Sequence, residues 1–265
     1  ITEEYIMKIN TSIISKRREY ILKYLKEYPD ISTAELAEKL NVSSLTLRRD
    51  FQALENDGLV VRYYGGAKLI EDSPLLNDIN FENNNSLNNE NKHKIAKYAA
   101  DLIEDGDTIF INSSTTALLI LEYLEDKRVT VITNNGKALF SNIGPNVDLI
   151  LTGGQVYERK QSLVGEFATT IFSSVIADKC FIGVNGVSVD FGISTSVFQE
   201  TLVNKAMINH CKGPVFVLAS SSKIGLKNKF LSGSIDDISH LITDSGINET
   251  SIKNLEKCGI EIIKV

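Results

Sequence analysis

Residues 44–57, Ser-Leu-Thr-Leu-Arg-Arg-Asp-Phe-Gln-Ala-Leu-Glu-Asn-Asp, set two adjacent arginines and a glutamine among apolar residues at helical spacing. At about 100° per residue, Leu47, Phe51 and Leu54 fall on one stripe. Leu45, Arg49 and Gln52 gather on the opposite side, flanked by Thr46 and Arg48. Cations in the first turns of a helix oppose its dipole, so a merely solvated face has no use for them there. Binding to guanine edges or phosphates does use them, because a guanidinium presents a planar fork of donors.

A second set of small polar residues follows a series of short apolar runs. Asn112-Ser113-Ser114-Thr115-Thr116 stands directly before a helical stretch. Hydroxyls and free backbone N–H groups at a helix start suit an anion, although an ordinary cap needs only one hydroxyl. Thr133-Asn134-Asn135-Gly136 and Thr152-Gly153-Gly154 come next, and the double glycine permits close backbone approach or simply a plain turn. Arg159-Lys160 lie just beyond, where a solvated loop pair is the default reading. Gly183-Val184-Asn185-Gly186 and Gly192-Ile193-Ser194-Thr195 repeat the pattern, and Ser220-Ser221-Ser222-Lys223 adds a lysine able to act as a point charge on a phosphate. Such segments at the carboxyl ends of strands on one sheet edge describe a pocket for a small anionic ligand, such as a sugar phosphate.

The elements that must carry these residues can be read in order. A first helix spans Ser15 to Tyr28 with Ile21, Leu22 and Leu25 inward, and Pro29-Asp30 stops it. Ser32 or Thr33 caps a second helix from Ala34 to Leu40, and Ser43 or Ser44 caps the third, which Gly58 closes. This is the helix-turn-helix plan. Leu59 to Tyr64, a turn at Gly65-Gly66, and Ala67 to Ile70 read as a β-hairpin wing, from which Arg62 can reach a phosphate. Residues 71–91, rich in asparagine, read as a linker.

From Lys92 onward, strands at 108–111, 129–132, 149–151, 180–182, 215–218, 240–242 and 261–263 alternate with helices, including those at about 164–176, 197–211 and 248–258. Mostly apolar strands alternating with helices predict a parallel sheet covered on both faces. The expected organisation is therefore a winged helix-turn-helix over 1–70, a linker over 71–91, and a larger α/β domain over 92–265.

Composition narrows the classes. The 43% hydrophobic and 23% charged content is that of an ordinary globular chain, with no run near the roughly 20 apolar residues of a membrane span. No export signal is expected at the N-terminus, and Met7 is a candidate initiator in a chain opening Ile1-Thr2. Cys180, Cys211 and Cys258 are isolated, which suits free thiols in a reducing cytoplasm. Neither they nor the three histidines have metal-site spacing, and no cofactor is expected. The net charge of −6 divides unevenly: residues 1–70 hold 11 basic and 10 acidic side chains, the remainder 17 and 24. An acidic body discourages indiscriminate DNA binding while locally placed arginines still dock, and so weak a head suggests two acting together.

Several stretches resemble DeoR-type bacterial transcriptional regulators. In the head these are Arg17-Arg18 with Ile21-Leu22, Val42-Ser43 with Thr46-Leu47-Arg48-Arg49-Asp50, Gly58-Leu59, and Arg62 through Gly65-Gly66-Ala67. In the body they are Ile95-Ala96, Asp105 to Phe110, Thr115-Thr116, Thr133-Asn134, Gly153-Gly154, Ser162 with Gly165, Asp178-Lys179 with Phe181-Ile182-Gly183, and Ser222-Lys223. The resemblance implies a sensor of the ribose-5-phosphate isomerase and CoA-transferase fold that responds to phosphorylated sugars. It also implies cytoplasmic homodimers or homotetramers that repress sugar-utilisation operons and release DNA when effector binds. Asn112, Ser114, Asn185 and Ser220 depart from the family pattern, and fewer acids make the pocket less negative.

The leading expectation is a sequence-specific repressor of a double-stranded DNA operator. Ser44, Thr46, Arg49 and Gln52 would read bases, while Arg48, Arg62 and Lys68 would hold phosphates. Ser113, Ser114, Thr115, Thr116, Thr133, Asn134, Gly153, Gly154, Gly186, Ser194, Thr195, Glu200 and Lys223 would line the ligand pocket. The competing class is a sugar-phosphate isomerase with a DNA-binding head, for which Glu166, Glu200 and Asp244 are the remaining candidate bases. Glu200 reads more easily as a helix residue or hydroxyl acceptor. A third reading is an architectural DNA-bound protein with a vestigial pocket.

Overall fold

The computed structural model describes residues 17–18, 20–29, 31–56, 59–70 and 86–265. Met7, Gly58 and residues 71–85 of the expected linker lie outside the described residues. The chain divides into two compact units, Ile1–Ser86 and Leu87–Val265.

The first unit packs three helices under a hairpin. Helix α1 covers residues 20–27, α2 Thr33–Lys39 and α3 Ser44–Asn56, followed by strands β1 (Val60–Tyr63) and β2 (Gly66–Leu69). Ile21, Leu22, Leu25, Leu36, Leu47, Phe51, Leu54 and Val60 form its buried core, each from the apolar side of its element. Ser32 is the cap of α2: its hydroxyl accepts the Glu35 N–H while the Glu35 carboxylate accepts the Ser32 N–H, a capping box. Ser43 rather than Ser44 caps α3, accepting the Thr46 N–H at 3.1 Å. β1 and β2 pair antiparallel with Val60 opposite Leu69 and Tyr63 opposite Gly66. The Thr33 N–H and hydroxyl both donate to the Gly65 carbonyl, tying the hairpin turn to the start of α2.

The second unit opens with α4 (Ser86–Asp101), which begins six residues inside the expected linker. Its apolar positions Ile95, Ala96, Ala99 and Ala100 recur at helical spacing and are buried, and the helix extends upstream of them. Seven strands then form one sheet: β3 (Thr108–Ile111), β4 (Val129–Thr133), β5 (Val147–Leu151), β8 (Lys179–Gly183), β11 (Val215–Leu218), β13 (His240–Thr243) and β14 (Glu261–Lys264). Their order is β14-β13-β11-β8-β3-β4-β5, and all neighbours are parallel.

Alternate residues of the central strands feed opposite cores. Ile109, Ile111, Val131, Phe181 and Phe216 join α4 on one face. Phe110, Ile132, Cys180, Ile182 and Val217 join the other face with α6 (Glu166–Ser173), α7 (Phe198–Asn209) and α8 (Glu249–Glu256). That is why these strands read as continuous apolar runs. No described helix is long and apolar enough to cross a membrane.

Two smaller sheets depart from the expected loops. Strands β6 (Gln155–Tyr157) and β7 (Ser162–Val164) form a hairpin, and β9 (Gly186–Ser188), β10 (Gly192–Thr195) and β12 (Phe230–Gly233) form an antiparallel sheet ordered β12-β10-β9. Gly186 and Ser194, expected at the pocket, therefore belong to this sheet. The Ser194 hydroxyl is fully buried, donating to the Gly186 carbonyl and accepting the Asn228 N–H.

Candidate functional site

On α3 the structure separates two faces as the spacing predicts. Leu47, Phe51 and Leu54 are buried, whereas Ser44, Leu45, Arg48, Arg49 and Gln52 are exposed and Thr46 is half-buried. Asp50 is buried between them, 2% exposed, and draws in Arg17 (Nε 2.6 Å, Nη2 3.2 Å) and Arg18 (Nε 3.2 Å). This arrangement fixes the rotation of α3 and turns Arg48 and Arg49 outward. Among the described residues neither arginine has an acidic partner. The Thr46 hydroxyl is engaged with Ser43 at 2.9 Å. Arg62 differs from the free anchor expected: its Nε donates to Glu55 at 2.7 Å. Lys68 stands over the Tyr63 ring at 5.9 Å.

The second candidate site lies where the sheet reverses. From β3 the chain winds outward through β4 and β5, then returns to β8 on the other side of β3. The carboxyl ends of β3 and β8 thus flank the crevice where open α/β sheets hold ligands.

At that crevice a buried carboxylate organises residues from four elements. Glu200, on the first turn of α7 and 5% exposed, accepts the Ser113 hydroxyl at 2.9 Å and the Lys160 ammonium at 3.1 Å. The Thr195 hydroxyl lies 3.1 Å from both Glu200 Oε2 and Asn185 Oδ1. A hydroxyl has one proton to give, so only one of the two oxygens receives it. Lys160 is no solvated loop residue: its side chain is 19% exposed and sits between β6 and β7, aimed inward. Two further polar atoms, Asn134 Oδ1 and Ser162 Oγ, are buried without a hydrogen-bond partner at the docked β6–β7 hairpin. Buried polar groups ordinarily find partners, which makes these two atoms exceptions.

Other expected pocket residues hold the scaffold instead. Ser114 caps α5 (Thr115–Leu118), accepting the Ala117 N–H at 2.9 Å. Its side chain also fills the space beside Gly183, where a Cβ would lie 1.9 Å from Ser114 Oγ. With Ser113 given to Glu200, Thr116 buried and α5 only four residues long, the expected four-hydroxyl anion cradle is reduced to Thr115, half-buried.

Asn112, one of the departures from the family pattern, is bolted to backbone. Its Nδ2 donates to the Gly183 carbonyl at 2.8 Å and its Oδ1 accepts the Gly183 N–H at 3.0 Å. The Thr133 hydroxyl accepts the Asn135 N–H, and the Asn134 amide donates to the Leu163 carbonyl. Gly153 and Gly154 have φ of 67° and 112°, and a Cβ on Gly154 would meet the Val164 carbonyl at 2.6 Å. That pair serves the turn into β6.

Lys223 is half-buried in the short turn Ser221–Lys223 after β11. Beside it Asp244 accepts the Ser221 N–H at 2.8 Å, the Ser221 hydroxyl at 2.7 Å and the Gly246 N–H at 2.9 Å. Burial pushes that carboxyl up, but these donors outweigh it and hold the pKa below the usual value. Among the described residues no group of three or more His, Cys, Asp or Glu side chains is placed to hold a metal ion.

Sequence comparisons match both units. Residues 17–73 match the DeoR-like helix-turn-helix domain and residues 87–245 the DeoR C terminal sensor domain. The lactose phosphotransferase system repressor of Lactococcus lactis subsp. lactis is 34% identical over 246 residues, covering 91% of this chain and 94% of that protein. The HTH-type transcriptional repressor GlcR of Bacillus subtilis is 31% identical, covering 92% and 93%. A ribose 5-phosphate isomerase A from Methanocaldococcus jannaschii shares 22% identity over 52% of this chain and 55% of its own, with a TM-score of 0.35. An outward arginine face on the third head helix and a sensor match over the body thus accompany relatives that align over nearly their full length, and this chain belongs to the DeoR family of transcriptional regulators.

Proposed function

We propose that this protein represses a sugar-utilisation operon by binding its operator through α3, and that a phosphorylated sugar or related metabolite in the β3–β8 crevice releases it. The observation that carries the reading is the outward Arg48–Arg49 pair, without an acidic partner among the described residues, opposite a fully buried Leu47–Phe51 stripe. Arg49, Gln52, Ser44 and Thr46 read base edges; Arg48 and Lys68 take phosphates. Two copies acting together would place two such helices in successive major grooves. In the body, Glu200 is the acceptor for ligand hydroxyls, in exchange for Ser113 or Thr195, and Lys160 and Lys223 supply positive charge. A relative supports the sugar: the Lactococcus lactis protein is a lactose phosphotransferase system repressor. Against isomerisation, Asp244 already accepts three hydrogen bonds and is not a free base.

One experiment tests both halves. The full-length protein is used to enrich a duplex from a random-sequence pool, and phosphorylated sugars are then screened for release of that duplex. Arg49→Ala should cost about 1–3 kcal/mol on the enriched duplex and relax base preference. Glu200→Gln should keep duplex binding and lose the sugar response. Retained selectivity in the first variant, or no release by any phosphorylated sugar at millimolar concentration, would contradict the reading.

A further inference from the structure

Glu55, in the last turn of α3, joins the outward helix face to the wing. Its Oε1 accepts the Arg62 backbone N–H at 3.1 Å, and its Oε2 accepts Arg62 Nε at 2.7 Å and the Gln52 side-chain amide at 3.4 Å. The hairpin register sets Arg62 opposite Ala67, on the strand face that includes buried Val60 and meets α3. Val61, Tyr63 and Lys68 take the other face. Both charged side chains remain about one-third exposed, 38% for Arg62 and 32% for Glu55. A pair this wet adds little to stability, so the fold does not rest on it.

Its consequence is electrostatic. Among the described residues Arg48 and Arg49 meet no acidic partner, while Arg62 is neutralised and held beside the helix. The Arg62 backbone and side-chain hydrogen bonds keep the Glu55 carboxyl below its usual range, so its charge persists at neutral pH. A phosphate can recruit Arg62 only by competing with Glu55. Loosely held DNA of arbitrary sequence competes poorly. A duplex seated on α3 competes at short range and for longer.

We propose that Glu55 is a positioning residue for sequence discrimination, withholding Arg62 from the phosphates of arbitrary DNA. This rests on the DNA-reading role proposed above for α3. The test titrates full-length wild type, Glu55→Gln, Arg62→Gln and the double variant against two fluorescent duplexes over a range of salt concentrations. One duplex is that enriched by wild type from a random pool, the other its scrambled form.

For Glu55→Gln the scrambled duplex should bind several-fold tighter and the ratio of enriched to scrambled affinity should fall. The salt slope on scrambled DNA should steepen by about 0.9, the increment for one added phosphate contact. Arg62→Gln should flatten the slope on the enriched duplex alone, and adding Glu55→Gln to it should change neither slope nor ratio. An unchanged ratio and slope in Glu55→Gln would overturn the inference, as would the same shift in the Arg62→Gln background, since that is generic loss of a negative charge. A wild-type chain that enriches no duplex would overturn the DNA reading together with the inference.

Discussion

Asp50 shows how one side chain can orient a surface it does not join. It lies on the buried side of α3, and its two oxygens are shared by Arg17 and Arg18, both helical. Removing one member of a buried pair is costly because the other charge stays behind. Here Arg17 and Arg18 keep 18% and 35% exposure, which softens the penalty. Asp50→Asn should therefore destabilise the head by about 2–3 kcal/mol, somewhat less than a fully buried pair. Denaturation followed by circular dichroism should show an earlier transition, and an unmoved midpoint would mean the arginines hold elsewhere. The role is not legible in the sequence, although Arg17, Arg18 and Asp50 all lie in stretches that resemble the family. Their spacing of 33 and 32 residues has no local period, and only packing of α1 against α3 brings them together. Glu200 was readable as a hydroxyl acceptor, but Lys160 was not, because nothing near it in the chain says that its turn folds inward.

Among elements, the turn between β5 and β6 is tightly constrained. Gly154 has φ of 112° and its missing Cβ leaves room for the Val164 carbonyl 2.6 Å away. Gly106 has φ of 92° with nothing within 4 Å of an added Cβ. Alanine at Gly106 thus meets backbone strain alone, roughly 1–2 kcal/mol, whereas alanine at Gly154 meets strain and a backbone clash. Denaturant unfolding should rank Gly154→Ala clearly below Gly106→Ala; equal losses would mean the β6–β7 hairpin shifts freely.

The parallel strands were legible because burial on both faces demands unbroken runs such as Thr108-Ile109-Phe110-Ile111 and Val215-Phe216-Val217-Leu218. Strands β6, β7, β9, β10 and β12 were not. They are three or four residues long, and β9, β10 and β12 are built largely of Gly, Ser and Thr, whose composition also signals loops. Their burial comes from tertiary packing, which no local pattern records.

Across the body, carboxylates at both ends of the sheet respond to acid in the same direction. Asp178, just before β8, is held below the usual range first by Lys212 and then by the Thr108 N–H. Asp244, just after β13, is held low by Ser221 and Gly246 against the opposing effect of burial. Asp190 is lowered to about 2 by Lys227 and the Ser188 hydroxyl. A carboxyl whose folded pKa lies below its unfolded value, about 3.9 for aspartate, contributes stability that is complete above that pH. The contribution is lost as pH falls through the folded pKa, because the unfolded chain then binds more protons. Unfolding free energy should therefore hold level above about pH 5 and fall between about pH 4 and 2. Asp244→Asn removes one of these groups while keeping an acceptor oxygen for Ser221. It should lower the plateau and make the acid decline shallower, measured by denaturant unfolding at each pH. An acid limb as steep as wild type would mean that Asp244 is not among the groups that set it, leaving the decline to Asp178 and Asp190 at the other sites.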